Sequence, residues 1–152
     1  MLHALQYSII RHLDDTVPEL TEVVWLYDGV TLTGKTKPFA VVEQMQDDTT
    51  ILAKERAYYE TIYRFQIGMM ARSSSERAKL QEKIRKALLQ PNIPLFNTDG
   101  PTPTSSGFFY CDVTAVTPMP VENMADETNK HKVYFDVEVP VQLRNGSDQF
   151  EQ

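Results

Sequence analysis

The end of the chain, from His131 to Leu143, constrains the fold more than any other segment. Every second residue there is apolar: Val133, Phe135, Val137, Val139, Val141 and Leu143 alternate with Lys132, Tyr134, Asp136, Glu138, Pro140 and Gln142. A period of two held over this length predicts a β-strand with one buried and one solvated face. Because proline has no N–H to donate to a ladder, Pro140 predicts a sheet edge or a bulge.

Similar patterns predict the other elements. Tyr58 to Arg72 alternates in the same way and is predicted to be the longest strand. Helical spacing of apolar residues predicts helices from Leu2 to about Leu13 and from Ser73 to Gln90, the second with Ser73 and Glu76 in capping-box positions. Shorter strands are predicted at 21–27, 39–45 and 108–117, and long loops at 92–107 and 118–130.

The order of these elements, α-β-β-β-α-β-β, predicts the fold class. We expect residues 1–144 to form a single α+β domain: a mixed or antiparallel sheet of about five strands with two helices packed on one face. Residues 145–152 are predicted to be a flexible C-terminal tail. A length of 152 residues suits one domain.

Composition and charge exclude several classes of protein. The net charge of −6 argues against a nucleic-acid binder held by phosphate contacts, which needs a basic face. A single cysteine, Cys111, rules out an internal disulfide framework and fits a reducing cytoplasm. No segment reaches the length of a membrane span, and no signal peptide is recognised, so neither a membrane partner nor export is expected.

One motif points to nucleotide binding. Gly29, Gly34, Lys35 and Thr36 match the phosphate-loop pattern G-x-x-x-x-G-K-[ST]. In a working site, Lys35 and Thr36 open a helix whose N–H groups converge on phosphate. Pro38 and a strand-like run come next instead, which favours a β-hairpin loop whose glycines supply the turn geometry. A nucleotide-binding protein using Gly29 to Thr36 remains the alternative function, and an ATP titration with Lys35→Ala as control separates the two.

The remaining reactive side chains predict no catalytic or metal site, so we expect no enzyme activity and no cofactor. The histidines are widely separated and predicted to lie at the surface or at a strand end: His3, His12 and His131. Cys111 is expected to be a small buried hydrophobe. The strand carboxylates are predicted to be solvated.

The element order resembles that of a known family. Three further features contribute to the resemblance: Pro38-Phe39 opens a strand, the Tyr58–Arg72 strand is joined directly to its helix, and Asn129-Lys130-His131 leads into the last strand. These features are similar to the tail completion proteins of long-tailed bacteriophages, the tail terminator and tail-to-head joining group. The resemblance covers roughly residues 2–144 and rests on element order, size and scattered residues.

The resemblance implies a homo-oligomeric ring, commonly of six subunits, in the tail or neck of a virion and in the host cytoplasm during assembly. Such a ring caps the tail tube, stops its growth and docks on the head connector, and DNA passes through its bore. The implied partners are therefore further copies of the chain, the tail tube protein and the connector protein. No catalytic residues carry over from the family.

The acidic residues suit such a bore, because like charges lower the affinity for DNA. Asp47 and Asp48 are predicted to lie at a hairpin tip and to face the lumen. Pro140 at an edge is expected to hinder free strand addition. A third class, a small adaptor domain of a secretion or contractile-tail system, is separated from the first by the neighbouring genes.

Overall fold

Two antiparallel strands of equal length, β4 (Tyr58–Met70) and β8 (Lys132–Arg144), form the centre of the molecule. The computed structural model describes residues 1–27, 30–32, 34–52, 56–119, 131–144 and 150–151. The other elements are α1 (Leu2–Thr16), β1 (Val23–Trp25), β2 (Phe39–Gln44), β3 (Asp48–Ile51), α2 (Ser74–Leu88), β5 (Ile93–Asn97), β6 (Thr104–Phe109), β7 (Asp112–Pro118) and β9 (Phe150–Glu151).

The main sheet has seven strands and is mixed. Its central path runs β1-β2-β4-β8-β7, with β3 beside β4 and β9 beside β8. The β1–β2 pair is parallel, and the other pairs are antiparallel. Strands β5 and β6 form a separate two-stranded sheet. The α+β single-domain fold with two helices is therefore confirmed.

Both helices pack on the same face of the main sheet, as predicted. One buried cluster joins Leu5, Ile9 and Leu13 of α1 to Leu80, Ile84 and Leu88 of α2 and to the inward residues of β4 and β8, among them Phe65, Ile67, Phe135 and Val137. A smaller cluster on the opposite face consists of Val24, Phe39, Val41 and Met70, with Leu26, Val30 and Leu32 packed against it. The period of two in β4 and β8 thus places their apolar residues on the helix-covered face.

Helix α1 continues three residues beyond the predicted end at Leu13. Thr16 donates its side-chain hydroxyl to the carbonyl oxygen of His12 at 2.6 Å, and the Val17 N–H reaches the Leu13 carbonyl at 2.9 Å. The Val17 bond satisfies a carbonyl of the last turn, where partners within the helix are otherwise missing. Val17 is also buried, which fixes the end of the helix against the core.

The predicted loop at 92–107 is wrong, because much of it forms the β5–β6 hairpin. Ile93 and Leu95 are buried, and the N–H of Phe96 donates to Ser8 Oγ of α1 at 3.0 Å. Gly107 has a φ of 123° at the irregular step of this hairpin, a conformation that favours glycine. The hairpin was missed because its prolines and glycines mask a short alternating pattern.

The single strand predicted at 108–117 is in fact divided between two sheets. Strand β6 ends at Phe109 in the small sheet, and β7 begins at Asp112 beside β8. The intervening residues connect the sheets, with Cys111 buried and Tyr110 exposed. Alternation continues through the connection, which explains why the sequence pattern showed no break.

The hairpin-tip position predicted for Asp47 and Asp48 is also wrong. Gln44 pairs with Phe65 and Asp48 pairs with Ile62, so β2 and β3 follow one another along the same side of β4. Three residues on this side face two on β4, which is the geometry of a β-bulge. Asp48 begins β3, and Asp47 lies in the bulge.

The position of Pro140 at a sheet edge is confirmed within the described residues. Strand β7 reaches only as far as Glu138 along β8, and β9 pairs with Gln142 and Leu143. Between them, the outer side of β8 has no partner strand in the described part of the chain. The two residues of β9 belong to the predicted tail, of which 145–149 and 152 lie outside the described residues.

The N-terminus of α2 is capped largely as the sequence predicts. Ser73 Oγ accepts the Glu76 N–H at 3.1 Å. The Glu76 carboxylate accepts the N–H of Arg72 at 2.8 Å and also pairs with the Arg72 guanidinium. The hydrogen bond from Arg72 lowers the pKa of Glu76 below its usual value.

We predict that Ser73→Ala lowers the free energy of unfolding by about 1 kcal/mol, because it removes the side-chain acceptor for one N–H at the helix start. Ser75→Ala is the matched control, since Ser75 is an exposed residue inside the same helix. Urea unfolding monitored by circular dichroism measures both variants. Equal stabilities of the two variants would contradict the capping role.

Candidate functional site

The described residues of the phosphate-loop pattern lead into a strand. Gly34 has a φ of 84°, and Lys35 and Thr36 are followed by β2, which begins at Phe39. The Lys35 ammonium lies 3.1 Å from both carboxylate oxygens of Glu22. Gly29 lies outside the described residues. Because Lys35 and Thr36 open no helix, the helix N-terminus that binds phosphate in such loops is not formed at this position.

This loop has a clear role in the fold. Thr21 donates its hydroxyl to the carbonyl oxygen of Thr36 at 2.6 Å, which fixes the segment before β2. Val30 and Leu32 pack over the small apolar cluster that contains Phe39. The Lys35–Glu22 ion pair therefore holds a loop that covers the sheet face opposite the helices.

The carboxylates on the solvated face of the sheet are bound into cross-strand pairs. Arg64 of β4 donates to Glu138 of β8 at 3.0 Å and also contacts Asp48 of β3. The hydrogen bonds to Asp48 and to Glu138 raise the pKa of Arg64 above its usual value. Gln66 donates to Asp136 at 3.2 Å. These side-chain contacts join three strands, β3, β4 and β8, across this face.

The two predicted lumen residues therefore differ. Asp47 is exposed in the bulge between β2 and β3, and Asp48 is held by Arg64. The two residues are adjacent in sequence, but Asp47 lies in the bulge and Asp48 is the first residue of β3. A change at Asp48 also removes a partner of Arg64, so Asp47 is the cleaner position for testing charge.

The histidines lie in three separate environments. His3 contacts Thr98 at 2.7 Å and stacks against Trp25, and His131 contacts Ser74 at 3.3 Å. His12 is buried, contrary to the predicted surface position, and its Nε2–H donates to the Ala87 carbonyl at 2.8 Å between the two helices. Within the described part of the chain, no His, Cys, Asp and Glu residues form a group of three suited to a metal ion.

Cys111 is buried, as predicted. Burial, with a smaller contribution from the charge of Asp112, raises the pKa of its thiol to about 12. A thiol with this pKa is almost entirely protonated at neutral pH, and the thiolate is the nucleophilic form. Cys111 therefore serves as a core residue.

A groove beside the start of α2 has a volume of about 790 Å³ and is lined by charged residues. Four of the six charged lining residues form two pairs, Arg72 with Glu76 and Lys83 with Glu19, and the other two, Lys79 and Glu82, have opposite charges. The hydrogen bond from Lys83 lowers the pKa of Glu19. The residues that line the groove therefore carry no net positive charge that would attract an anion.

Two exposed apolar surfaces were missed by sequence reasoning. The first, the hairpin end, is defined by Ile51, Leu52, Arg56 and Tyr58; Ile51 is 44% exposed and Leu52 is 49% exposed. The second, the aromatic ridge, is defined by Phe108, Tyr110 and Asp112; Phe108 is 56% exposed and Tyr110 is 42% exposed. Single exposed apolar residues are ordinary, but clusters of them mark contact surfaces.

The aromatic ridge had a sequence signal. Phe108, Phe109 and Tyr110 are three successive aromatic residues, so an extended segment must leave at least one on its outer side. Phe109 is the one that enters the core. Beside the ridge, Tyr110 borders a cleft of about 300 Å³ whose other walls are Glu60, Pro140, Val141 and Gln142.

The chain matches no protein-family model and no curated protein. Neither described helix is long and apolar enough to cross a bilayer.

Proposed function

We propose that this chain is a virion assembly protein that forms a ring of about six copies at the head-proximal end of a phage tail. The ring terminates the tail tube and joins it to the head connector. The observation that carries the proposal is the pair of exposed apolar surfaces, the hairpin end and the aromatic ridge, on a domain whose sheet-face carboxylates Asp48 and Glu138 are already held by Arg64. An assembly subunit needs contact surfaces more than it needs a reactive cleft.

Open strand edges support self-association. All four residues of β3 are exposed, and β3 pairs with β4 on one side only within the described residues. An exposed strand edge offers unpaired N–H and C=O groups to another chain. The three consecutive β-branched residues of β3, Thr49, Thr50 and Ile51, favour extended pairing.

The reactive side chains support a structural role. Arg64, Glu138 and Asp48 hold strands together, His12 joins the two helices, and Cys111 is buried with a raised pKa. Lys35 pairs with Glu22 in a loop that leads into β2. These residues account for the motifs that otherwise point to catalysis or to nucleotide binding.

The charge of the chain suits a passage for DNA. A net charge of −6 on each copy multiplies in a closed ring, and a negative bore repels the DNA backbone and lets it slide. The partners of the ring are further copies of the chain, the tail tube protein and the connector protein. The ring resides in the virion neck and assembles in the host cytoplasm.

We predict that the purified protein, or the protein added to tail tubes from the same phage, forms closed rings of about six subunits. Light scattering gives the native mass, and negative-stain imaging of the same fractions shows the shape. A monomer that leaves the tube ends bare and the tube length uncontrolled would contradict the proposed function.

We predict that Asp47→Lys leaves ring mass unchanged and slows the release of DNA from assembled particles, because it adds positive charge at the exposed bulge that we place in the lumen. Asp99→Lys is the matched control, since Asp99 is exposed in the turn of the β5–β6 hairpin. Release rates are compared after triggered ejection. Equal rates in the two variants would show that Asp47 lies outside the bore.

A further inference from the structure

We propose that neighbouring copies meet head to tail, with the hairpin end of one copy seated on the aromatic ridge of the next. This inference rests on the proposed function, because it names the contact through which the ring forms. The hairpin end of one copy therefore binds the aromatic ridge of a second copy of the chain.

The backbone of the hairpin end is held by strand pairing. Strands β3 and β4 pair from Asp48 with Ile62 to Ile51 with Tyr59, and the Leu52 N–H donates to the Tyr58 carbonyl at 3.0 Å. The pairing therefore continues as far as Leu52 and Tyr58, although all four residues of β3 are exposed. Its backbone is held in place, and its apolar side chains Ile51 and Leu52 lie in solvent.

The aromatic ridge is held in place by the buried residues between its exposed side chains. Residues 108–112 alternate in burial: Phe109 and Cys111 enter the core, and Phe108, Tyr110 and Asp112 point outward. The buried side chains of Phe109 and Cys111 thus fix the segment that carries the exposed rings of Phe108 and Tyr110. Tyr110 also borders the cleft beside Pro140, which is a recess next to the ridge.

The two surfaces lie on opposite sides of the central strand pair. Strand β3 lies beside β4, whereas Asp112 begins β7 beside β8. A contact between unlike surfaces of identical chains is heterologous, and heterologous contacts generate closed rings when the rotation between copies closes. A symmetric dimer through either surface alone would leave the other surface uncovered.

Charge complementarity selects a second copy as the occupant. The hairpin end carries the exposed cation Arg56, and the ridge carries the exposed acid Asp112. Copies with a net charge of −6 repel one another overall, so a local contact between opposite charges is needed to guide association. Apolar residues on both surfaces and opposite charges beside them make the surfaces mutually complementary.

Cysteine cross-linking between copies tests this contact. In a Cys111→Ala background, Leu52→Cys and Tyr110→Cys are placed on separate chains, mixed and oxidised. We expect a disulfide-linked dimer to form several-fold faster than in the matched mixture of Leu52→Cys with Leu89→Cys, because Leu89 is 54% exposed but lies at the end of α2. A chain carrying both Leu52→Cys and Tyr110→Cys should give a ladder that ends at the ring size.

A charge exchange gives a second readout. Arg56→Glu and Asp112→Arg should each weaken association about tenfold or more, and the chain carrying both changes should recover most of it, measured by native mass against concentration. Folding of each variant is checked by circular dichroism.

The outcomes separate this inference from the proposed function. Rings that form without Leu52–Tyr110 cross-linking above the control would overturn the contact and leave the ring proposal standing. Cross-linking of Leu52→Cys to the tail tube protein instead would also overturn it. Preferential Leu52–Tyr110 cross-linking with recovery in the charge exchange would support it.

Discussion

The antiparallel pairing of β4 with β8 organises the whole domain. The two strands pair along their whole length, from Tyr58 with Arg144 to Met70 with Lys132. Their apolar faces supply much of the core beneath the helices, and their polar faces carry the Arg64–Glu138 and Gln66–Asp136 contacts. Because these partners are distant in sequence, the pairing also sets the topology of the other elements.

The length of this pair leaves one half of it less covered than the other. Strands β1, β2 and β7 flank only the half of the pair that contains Met70 and Lys132. The other half is flanked by the short strands β3 and β9 and includes the open edge at Pro140. The exposed hairpin end belongs to this less covered half, and Tyr110 of the aromatic ridge borders it.

The sequence predicted the elements that have long, unbroken periodicity. Both helices, β4 and β8 were anticipated, because each buries a regular stripe of apolar residues. Strand β2 was anticipated from a continuous apolar run, Phe39 to Val42, which is buried on both faces. The β5–β6 hairpin was missed, since prolines and glycines reduce the strand signal that Ile93 and Leu95 provide. Strand β3 was missed because its four residues are all exposed, and an exposed strand shows no alternation.

The candidate site was less predictable than the fold. The phosphate-loop pattern is local, and its structure depends on the next element of the chain, which is the strand β2 and not a helix. Asp48 looked like a turn residue until its pairing with Arg64, sixteen residues away, gave it a place in β3. The three successive aromatic residues at 108–110 require one exposed ring in an extended segment, but which residues of the ridge and of the hairpin end stay uncovered depends on the tertiary fold.

Amide hydrogen exchange, compared between dilute and assembled protein, is the decisive measurement for an assembly role. We expect β4 and β8 to exchange slowly in both states, whereas amides of Thr49 to Leu52 and of Phe108 to Asp112 exchange several-fold more slowly only after assembly. Exchange in these two segments that is the same before and after assembly would contradict the head-to-tail ring.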